Sequence, residues 1–268
     1  MKKVLTIAGS DCSGGAGIQA DIKTMSALGI YSMSVITAIT AQNTLGVHAV
    51  QDIDSTMVEK QIQVIFEDIQ VDAVKIGMLA NGKIAETVKE NLKKYQAKNI
   101  VIDPVISSTS EFRLFKDGAM EKLKSLIGIA DLVTPNIPEA ELLTGIKIKN
   151  EEDIFKAAKE LKKLGVKNVL IKGGHSQDNS CTDILLLENN KFVKYYGEKI
   201  AATNTHGTGC TLSSAIASFL AKNYSMEESV KLAKEYITSS IKNSFSIGKG
   251  IGPLGHFIEL YKKSSIDY

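Results

Sequence analysis

No apolar run in the chain approaches the roughly 18 residues that a membrane-spanning helix needs, so its sequence contains no candidate span. A surplus of one charge is lacking too. With 32 basic and 30 acidic residues the formal charge is +2, which builds no broad basic face and argues against nucleic acid as a partner, leaving small molecules. Cysteine is scarce: Cys12, Cys181 and Cys210 are odd in number and have no CxxC spacing. Neither a disulfide framework nor a zinc site is indicated, and a cytoplasmic location fits. The opening residues Met1–Ala8 resemble the start of a signal peptide, but their apolar run stops at Gly9 before a polar loop, so they read as a first strand. Linkers, low-complexity tracts and repeats are also missing, and residues 1–268 are expected to form a single domain of ordinary size.

What the chain does contain is alternation. Short β-rich runs at Val4–Ala8, Ser34–Thr40, Ala73–Ile76, Ile100–Ile102, Leu132–Thr134 and Asn168–Ile171 are separated mostly by helical patterns such as Gln19–Leu28, Thr56–Glu67, Ile84–Tyr95 and Ile154–Leu164. This is βαβ order, which predicts an α/β fold with a central, mainly parallel sheet flanked by helices on both faces. Asp183–Leu187 and Phe192–Tyr196 flank the turn residues Glu188–Lys191 and predict a hairpin, with two more helices after it.

The strand ends carry the functional signal. Gly9-Ser10-Asp11, Ala41-Gln42-Asn43, Gly77-Met78, Asp103-Pro104, Pro135-Asn136 and Lys172-Gly173-Gly174 each follow a predicted strand. Ligands of open parallel sheets sit beyond the strands' carboxyl ends, so these groups converge on one rim. Each alone is also what a plain turn uses. Nucleotide motifs of two other kinds fail. Gly9–Gly14 has Walker A spacing but continues with Gly15 where Lys is required. Gly15-Ala16-Gly17-Ile18-Gln19-Ala20 matches a dinucleotide pattern, yet it is set back from its strand, and the second strand ends at Gln42 with no acid to hold a ribose. Near the C-terminus, Asn204-Thr205-His206-Gly207-Thr208-Gly209-Cys210 runs into the apolar stretch Thr211–Leu220. A glycine loop opening a helix turns backbone N–H groups and a partial positive charge toward a phosphate.

Taken with Ala8–Asp21, Ala41–Thr44, Lys75–Leu79, Asp103–Val105, Thr134–Ala140 and Lys172–His175, this loop makes the chain similar to the bacterial hydroxymethylpyrimidine and phosphomethylpyrimidine kinases of thiamine biosynthesis, which belong to the ribokinase-like superfamily. The matching blocks run in family order over almost the whole chain. The resemblance implies a ribokinase-like three-layer αβα fold, ATP and Mg²⁺ as cofactors, a homodimer, and two successive phosphorylations of 4-amino-5-hydroxymethyl-2-methylpyrimidine.

Roles follow from it residue by residue. Gly207, Thr208 and Gly209 would cradle the transferring phosphoryl, and Cys210 would orient the hydroxyl and accept its proton late. A helix N-terminus lowers a thiol's pKa, whereas ATP phosphates raise it. Asp103 and Glu139 would hold Mg²⁺. Lys172, Asn136, Thr205 and His206 would serve the nucleotide. Gln42, able to donate and accept, would read the pyrimidine, with Gly9, Asp21, Met78 and Val105 lining its pocket. His48 and His256 are expected to be surface or packing residues, Cys12 a tolerated residue and Cys181 a structural one. The segment Ile106–Phe115 departs from the family pattern, with Glu111 and Phe112 in place of a glycine-containing flap, which bears on specificity and on the second phosphorylation. The alternative within enzymes is a pyridoxine or pyridoxal kinase. A catalytically silent nucleotide-binding protein is disfavoured by Asp103, Glu139, Lys172 and Cys210 occurring together.

Overall fold

In a computed structural model describing residues 1–106, 119–173, 182–197 and 200–264, strands and helices alternate. The order is β1 (Lys3–Asp11), α1 (Gly17–Ala27), β2 (Tyr31–Asn43), β3 (Gly46–Asp52), α2 (Ser55–Asp68), β4 (Ala73–Ile76), α3 (Gly82–Lys94) and β5 (Ile100–Ile102). There follow α4 (Met120–Ile127), β6 (Leu132–Val133), α5 (Ile137–Thr144), α6 (Glu151–Lys162), β7 (Asn168–Ile171), β8 (Asp183–Leu186), β9 (Phe192–Tyr195), α7 (Thr208–Ala221), α8 (Met226–Lys242) and α9 (Ile258–Ser264).

The sheet runs β3-β2-β1-β4-β5-β6-β7-β8-β9. β2, β1, β4, β5, β6 and β7 are parallel to one another, while β3 pairs antiparallel with β2 at one edge and, at the other, β8 pairs antiparallel with β7 and β9 with β8. The chain leaves β1 toward β2 and returns to β4 on β1's opposite side. That reversal opens a crevice above the carboxyl ends of β1 and β4, where open α/β sheets bind ligands.

Alternation along each strand sends its side chains into two layers. Leu5, Ile7, Val74, Ile76, Ile102 and Val133 meet Val58, Ile62, Val88, Leu123 and Leu161 from α2, α3, α4 and α6 on one face. Val4, Ala73, Val101, Leu132 and Leu170 meet Met25, Leu212, Ile216, Val230 and Ile237 from α1, α7 and α8 on the other. Fully burying each such side chain contributes about 1.5–3 kcal/mol, and both faces of the sheet are covered, as the βαβ pattern requires. On the α1/α7 face the alternation places Thr6 after Val4 and Lys75 after Ala73, so polar groups enter an otherwise apolar layer with no exposure at all.

Asp54, Asn81, Asn136, Asn150 and Ser225 cap α2, α3, α5, α6 and α8 with side-chain acceptors. α1 and α7, which pack together, start at Ala16 and Gly207 with no side-chain cap. In the first turn of α7 the Gly209 and Cys210 N–H groups stay available.

Strands expected at Ala73–Ile76, Ile100–Ile102 and Asn168–Ile171 form with those limits. β2 is longer than expected because it pairs with β1 on one side and β3 on the other. β3 has no counterpart in the sequence reading: its ladder to β2, closed through a tight turn at Thr44-Leu45, supplies what its half-exposed residues do not signal. Three helices follow the hairpin where two were expected. Among the described residues no helix is long and apolar enough to cross a membrane.

Candidate active site

The loop before α7 and the glycine loop after β1 face each other at backbone distance. Gly207 is left-handed at φ +86°, and a Cβ there would lie 1.9 Å from the Gly15 carbonyl oxygen. Gly17, at φ +55°, would put a Cβ 2.3 Å from the Gly9 carbonyl. Glycine is therefore required by contact as well as by conformation. Asp11 organises this junction. Its carboxylate accepts N–H bonds from Ser13 (2.9 Å), Gly15 (3.2 Å) and Ala16 (2.8 Å), and lies 2.9 Å from His206 Nε2. Burial opposes its charge, but the bonds from His206, Ser13 and Ala16 outweigh that and hold Asp11 well below the usual carboxylate range.

Within the first turn of α7, Thr208 N–H reaches the Thr205 carbonyl at 3.3 Å and Thr211 N–H the Gly207 carbonyl at 2.9 Å. The N–H groups of Gly209 and Cys210 have no acceptor among the described residues. Beside them, at the ends of β5, β6 and β7, sit Asp103, Thr134 and Lys172. Lys172 Nζ is 2.8 Å from Asp103 Oδ1, to which Thr134 Oγ1 also donates at 3.2 Å. A Cβ on Gly209 would stand 3.0 Å from Asp103 Oδ2 and 3.4 Å from Lys172 Nζ. Uncapped amides, an ammonium and a carboxylate thus share one corner, with charge arranged for an anion.

Glu139 forms a capping box with Asn136: its carboxylate accepts the Asn136 N–H at 2.8 Å, and Asn136 Oδ1 accepts the Glu139 N–H at 2.8 Å. Burial raises the Glu139 pKa, Asp103 adds to the rise, and Lys172 offsets part of it. Burial works against the Lys172 charge, yet Asp103 and Glu139 keep its pKa above the ordinary lysine value. Cys210 retains some exposure as a residue, but its thiol is crowded by protein. Burial pushes it up to about 11; Asp21 and Asp103 add to the rise, while Lys75 and the Gly17 N–H work against it. At neutral pH the group is a thiol. Desolvation and two carboxylates act against the lowering expected from the helix N-terminus.

Gln42 Nε2 lies 3.1 Å from His206 Nε2, whose proton faces Asp11, and Gln42 Oε1 lies 3.3 Å from Thr40 Oγ1, so the amide keeps both donor and acceptor capacity for a ligand. The His206 ring covers Gly15, where a Cβ would fall 2.3 Å from its Cδ2. His206 therefore joins the two loops, beyond the place in the phosphate loop and the nucleotide contact expected from sequence. Gly9 and Met78 adjoin, with Met78 Sδ 3.1 Å from the place of a Gly9 Cβ. Val105 is partly buried against the core, and Thr205 is exposed with its carbonyl accepting from Thr208 Oγ1 at 2.7 Å.

Asp21 requires correction. It is fully enclosed and lines no pocket: Lys75 Nζ lies 2.8 and 2.9 Å from its two oxygens, Thr6 Oγ1 donates at 2.6 Å and Ser214 Oγ at 2.7 Å. From sequence, Asp11 has a place at the rim without a specific role, and Lys75, Thr134 and Ser214 have none. Ser214 was findable, since it lies one helical turn beyond Cys210. His48 is exposed, and His256 is buried against Thr211 at 3.0 Å. His175, Cys181 and the departing segment 107–115 lie outside the described residues. Cavities of 260 Å³ between Asp52 and Ile84 and of 120 Å³ between Lys124 and Leu164 lie away from this cluster.

A family profile for phosphomethylpyrimidine kinase matches residues 11–255. Over 267 residues the chain is 42% identical to a hydroxymethylpyrimidine/phosphomethylpyrimidine kinase of Bacillus subtilis, covering 99% of this chain and 97% of that one. It is 44% identical to the protein of the same name from Haemophilus influenzae, covering 96% and 97%. A thiamine biosynthesis bifunctional protein of Geobacter sulfurreducens is 45% identical, but the chain spans 52% of its length. Among solved structures, a Clostridium difficile phosphomethylpyrimidine kinase superposes with a TM-score of 0.81 at 52% identity, covering 90% of this chain and 100% of that one. An ADP complex of Bacillus subtilis pyridoxal kinase superposes with a TM-score of 0.89 at 38% identity, covering 97% and 99%.

Proposed function

Because the chain belongs to the phosphomethylpyrimidine kinase family, we propose that it transfers the terminal phosphoryl group of ATP to the hydroxymethyl oxygen of 4-amino-5-hydroxymethyl-2-methylpyrimidine, and then a second to the resulting monophosphate. The observation that carries this reading is the uncapped start of α7 set against the Asp103–Lys172 pair and the Cys210 thiol. Use of ATP is supported by relatives solved with ADP or with AMP-PCP and pyridoxal.

In the first transfer, the substrate oxygen bonds to the γ-phosphorus as the bond to the departing ADP oxygen breaks. The Gly209 and Cys210 N–H groups and Lys172 face the charge that spreads over the phosphoryl oxygens. A loose transition state makes little demand for a deprotonated nucleophile, which suits a Cys210 held as thiol: it orients the hydroxyl, whose proton passes late to an oxygen of the transferred phosphoryl group. Asp103 and Glu139 fit Mg²⁺. Asp103 Oδ2 has no donor among the described residues, and the Glu139 carboxyl, raised chiefly by burial and further by Asp103, is a second hard oxygen donor beside it. No group of three metal-binding side chains occurs among the described residues, so water and phosphate oxygens would complete the coordination. The ion supplies further neutralisation of phosphate charge when bound.

The assay that tests this measures ADP release with the aminopyrimidine, its monophosphate and pyridoxal side by side. Turnover with the first two above that with pyridoxal is expected. Turnover with pyridoxal alone, or with none of the three, refutes the assignment.

A further inference from the structure

Asp11 at the end of β1, His206 before α7 and Gln42 near the end of β2 form a chain of side chains that touch in sequence. Every described contact of the Asp11 carboxylate is with a donor. Ser13 gives its N–H at 2.9 Å and its hydroxyl at 2.7 Å to Oδ1, and Gly15 and Ala16 give N–H groups at 3.2 and 2.8 Å to Oδ2. A carboxylate so surrounded only accepts, so His206 Nε2, 2.9 Å from Oδ2, carries a hydrogen. Gln42 meets that nitrogen on one side and Thr40 Oγ1 on the other. The one hydroxyl hydrogen of Thr40 goes to the Ser10 carbonyl at 3.0 Å. Thr40 therefore has only lone pairs to offer Gln42, and His206 only a hydrogen. The oxygen and nitrogen of an amide fill equal space, so donor–acceptor matching decides which end goes where. With its nitrogen toward the ring, the amide would set N–H against N–H and oxygen against oxygen in a partly buried place, where unmade bonds are costly. A half-turn about the terminal bond puts Oε1 at His206 and Nε2 at Thr40 and makes both bonds. Cys12 pins the rest of the residue: its sulfur takes the Gln42 N–H at 3.3 Å and lies 3.1 Å from the Gln42 carbonyl oxygen.

We propose that Asp11 and His206 are specificity-determining residues: by holding a hydrogen on His206 Nε2 they turn the Gln42 oxygen toward the ring, and so fix the order of donor and acceptor that Gln42 presents to the pyrimidine. The oxygen keeps one lone pair and the nitrogen one hydrogen. His206 belongs to the loop that opens α7, where the hydroxymethyl group must lie for transfer. The amine is that group's neighbour on the pyrimidine, so it donates to Oε1 on the His206 side, while ring N3 accepts from Nε2 on the Thr40 side. The 4-oxo analogue is reversed at both positions, with a hydrogen on the ring nitrogen and an accepting oxygen outside it. It is refused unless the amide turns back.

The inference rests on the kinase reading for the identity of the ligand, but its test needs no phosphoryl transfer. Calorimetry without nucleotide gives the dissociation constants of the 4-amino compound and its 4-oxo analogue. The wild type is expected to prefer the 4-amino compound at least about tenfold, the effect of a mispaired polar edge. His206→Ala frees the amide to turn and should bring the two constants within about threefold of each other, whereas His206→Gln, whose amide nitrogen can stand in for Nε2, should keep the preference. In a Gln42→Leu background, adding His206→Ala should leave the preference where it stands, because His206 acts through that amide. Equal weakening of both compounds in His206→Ala, with the preference intact, would show a structural role only and overturn the proposal. So would a further loss of preference in the Gln42→Leu background. Should His206→Ala fail to fold, the ring-nitrogen NMR spectrum of wild-type His206 decides: a hydrogen on Nε2 supports the proposal, and a bare Nε2 overturns it. A wild type that binds the 4-amino compound selectively yet releases no ADP sinks the kinase reading and leaves the proposal standing. One that phosphorylates the 4-amino compound but binds the two equally sinks the proposal alone.

Discussion

Replacing Gly207 by alanine isolates what joins the two loops of the site. The left-handed φ of +86° costs an L-residue roughly 1–2 kcal/mol. The new Cβ would stand 1.9 Å from the Gly15 carbonyl oxygen, a backbone atom that no rotamer change can remove, and such overpacking costs roughly 1–3 kcal/mol. Together these give a destabilisation of roughly 2–5 kcal/mol, or a separation of the loops that relieves it. Gly145, which ends α5, is a built-in control: φ is +75° and nothing lies within 4 Å of its would-be Cβ. Gly145→Ala should therefore show only the conformational part, roughly 1–2 kcal/mol. Urea unfolding of both variants measures the difference. Loop separation also withdraws the Gly209 and Cys210 amides from the phosphoryl group, and kcat should fall at least about a hundredfold in Gly207→Ala, as when an oxyanion donor is lost. The reasoning is wrong if Gly207→Ala is no less stable than Gly145→Ala and keeps its kcat.

Three further outcomes are expected. His256 is 4% exposed, and burial, with Lys23 nearby, lowers its pKa from 6.5 to about 4. Between those values the unfolded chain binds the extra proton, so this residue's contribution to stability is whole above pH 6.5 and lost as pH falls toward 4, about 3 kcal/mol in all. Glu139, whose pKa is raised, acts in the opposite direction, gaining stability as pH falls, so the comparison is between wild type and His256→Gln in urea at pH 7 and 4.5; an equal acid sensitivity of both refutes the assignment. Cys210→Ala should lose kcat by no more than the roughly 10²–10⁴ of a general base, because the thiol is protonated at neutral pH; a far larger loss in stopped-flow or steady-state assays contradicts an orienting role. Gln42→Leu should raise the KM for the pyrimidine and leave the KM for ATP near wild type, and equal weakening of both would place Gln42 elsewhere.

Much of this protein is legible in its residues taken locally. Ala73–Ile76, Ile100–Ile102 and Asn168–Ile171 are buried on both faces and, apart from Lys75 and Asn168, apolar, so each reads as a short strand with clear limits. The groups just past those runs, Gly77, Asp103 and Lys172, are bound to reach one rim once the strands are parallel. The glycine loop before α7 announces an anion site by chain-local chemistry. β3 escapes because its residues are half-exposed and its stability comes from the ladder to β2.

The pairings across the sheet are another matter. Asp21 and Lys75 are 54 positions apart, Asp11 and His206 are 195, and Asp21 and Ser214 are 193. No periodicity or spacing links such residues, and an aspartate on a helix near a glycine loop reads equally well as a ligand contact or a buried ion. Strand order and helix placement alone turned Asp21 away from the substrate and toward Lys75, set His206 across Gly15, and raised the Cys210 thiol by enclosing it with two carboxylates. Sequence determines which chemical groups arrive at the carboxyl ends of the strands. Which of them meet, and in what state of charge, is decided by burial and by distances that exist only after the layers have packed.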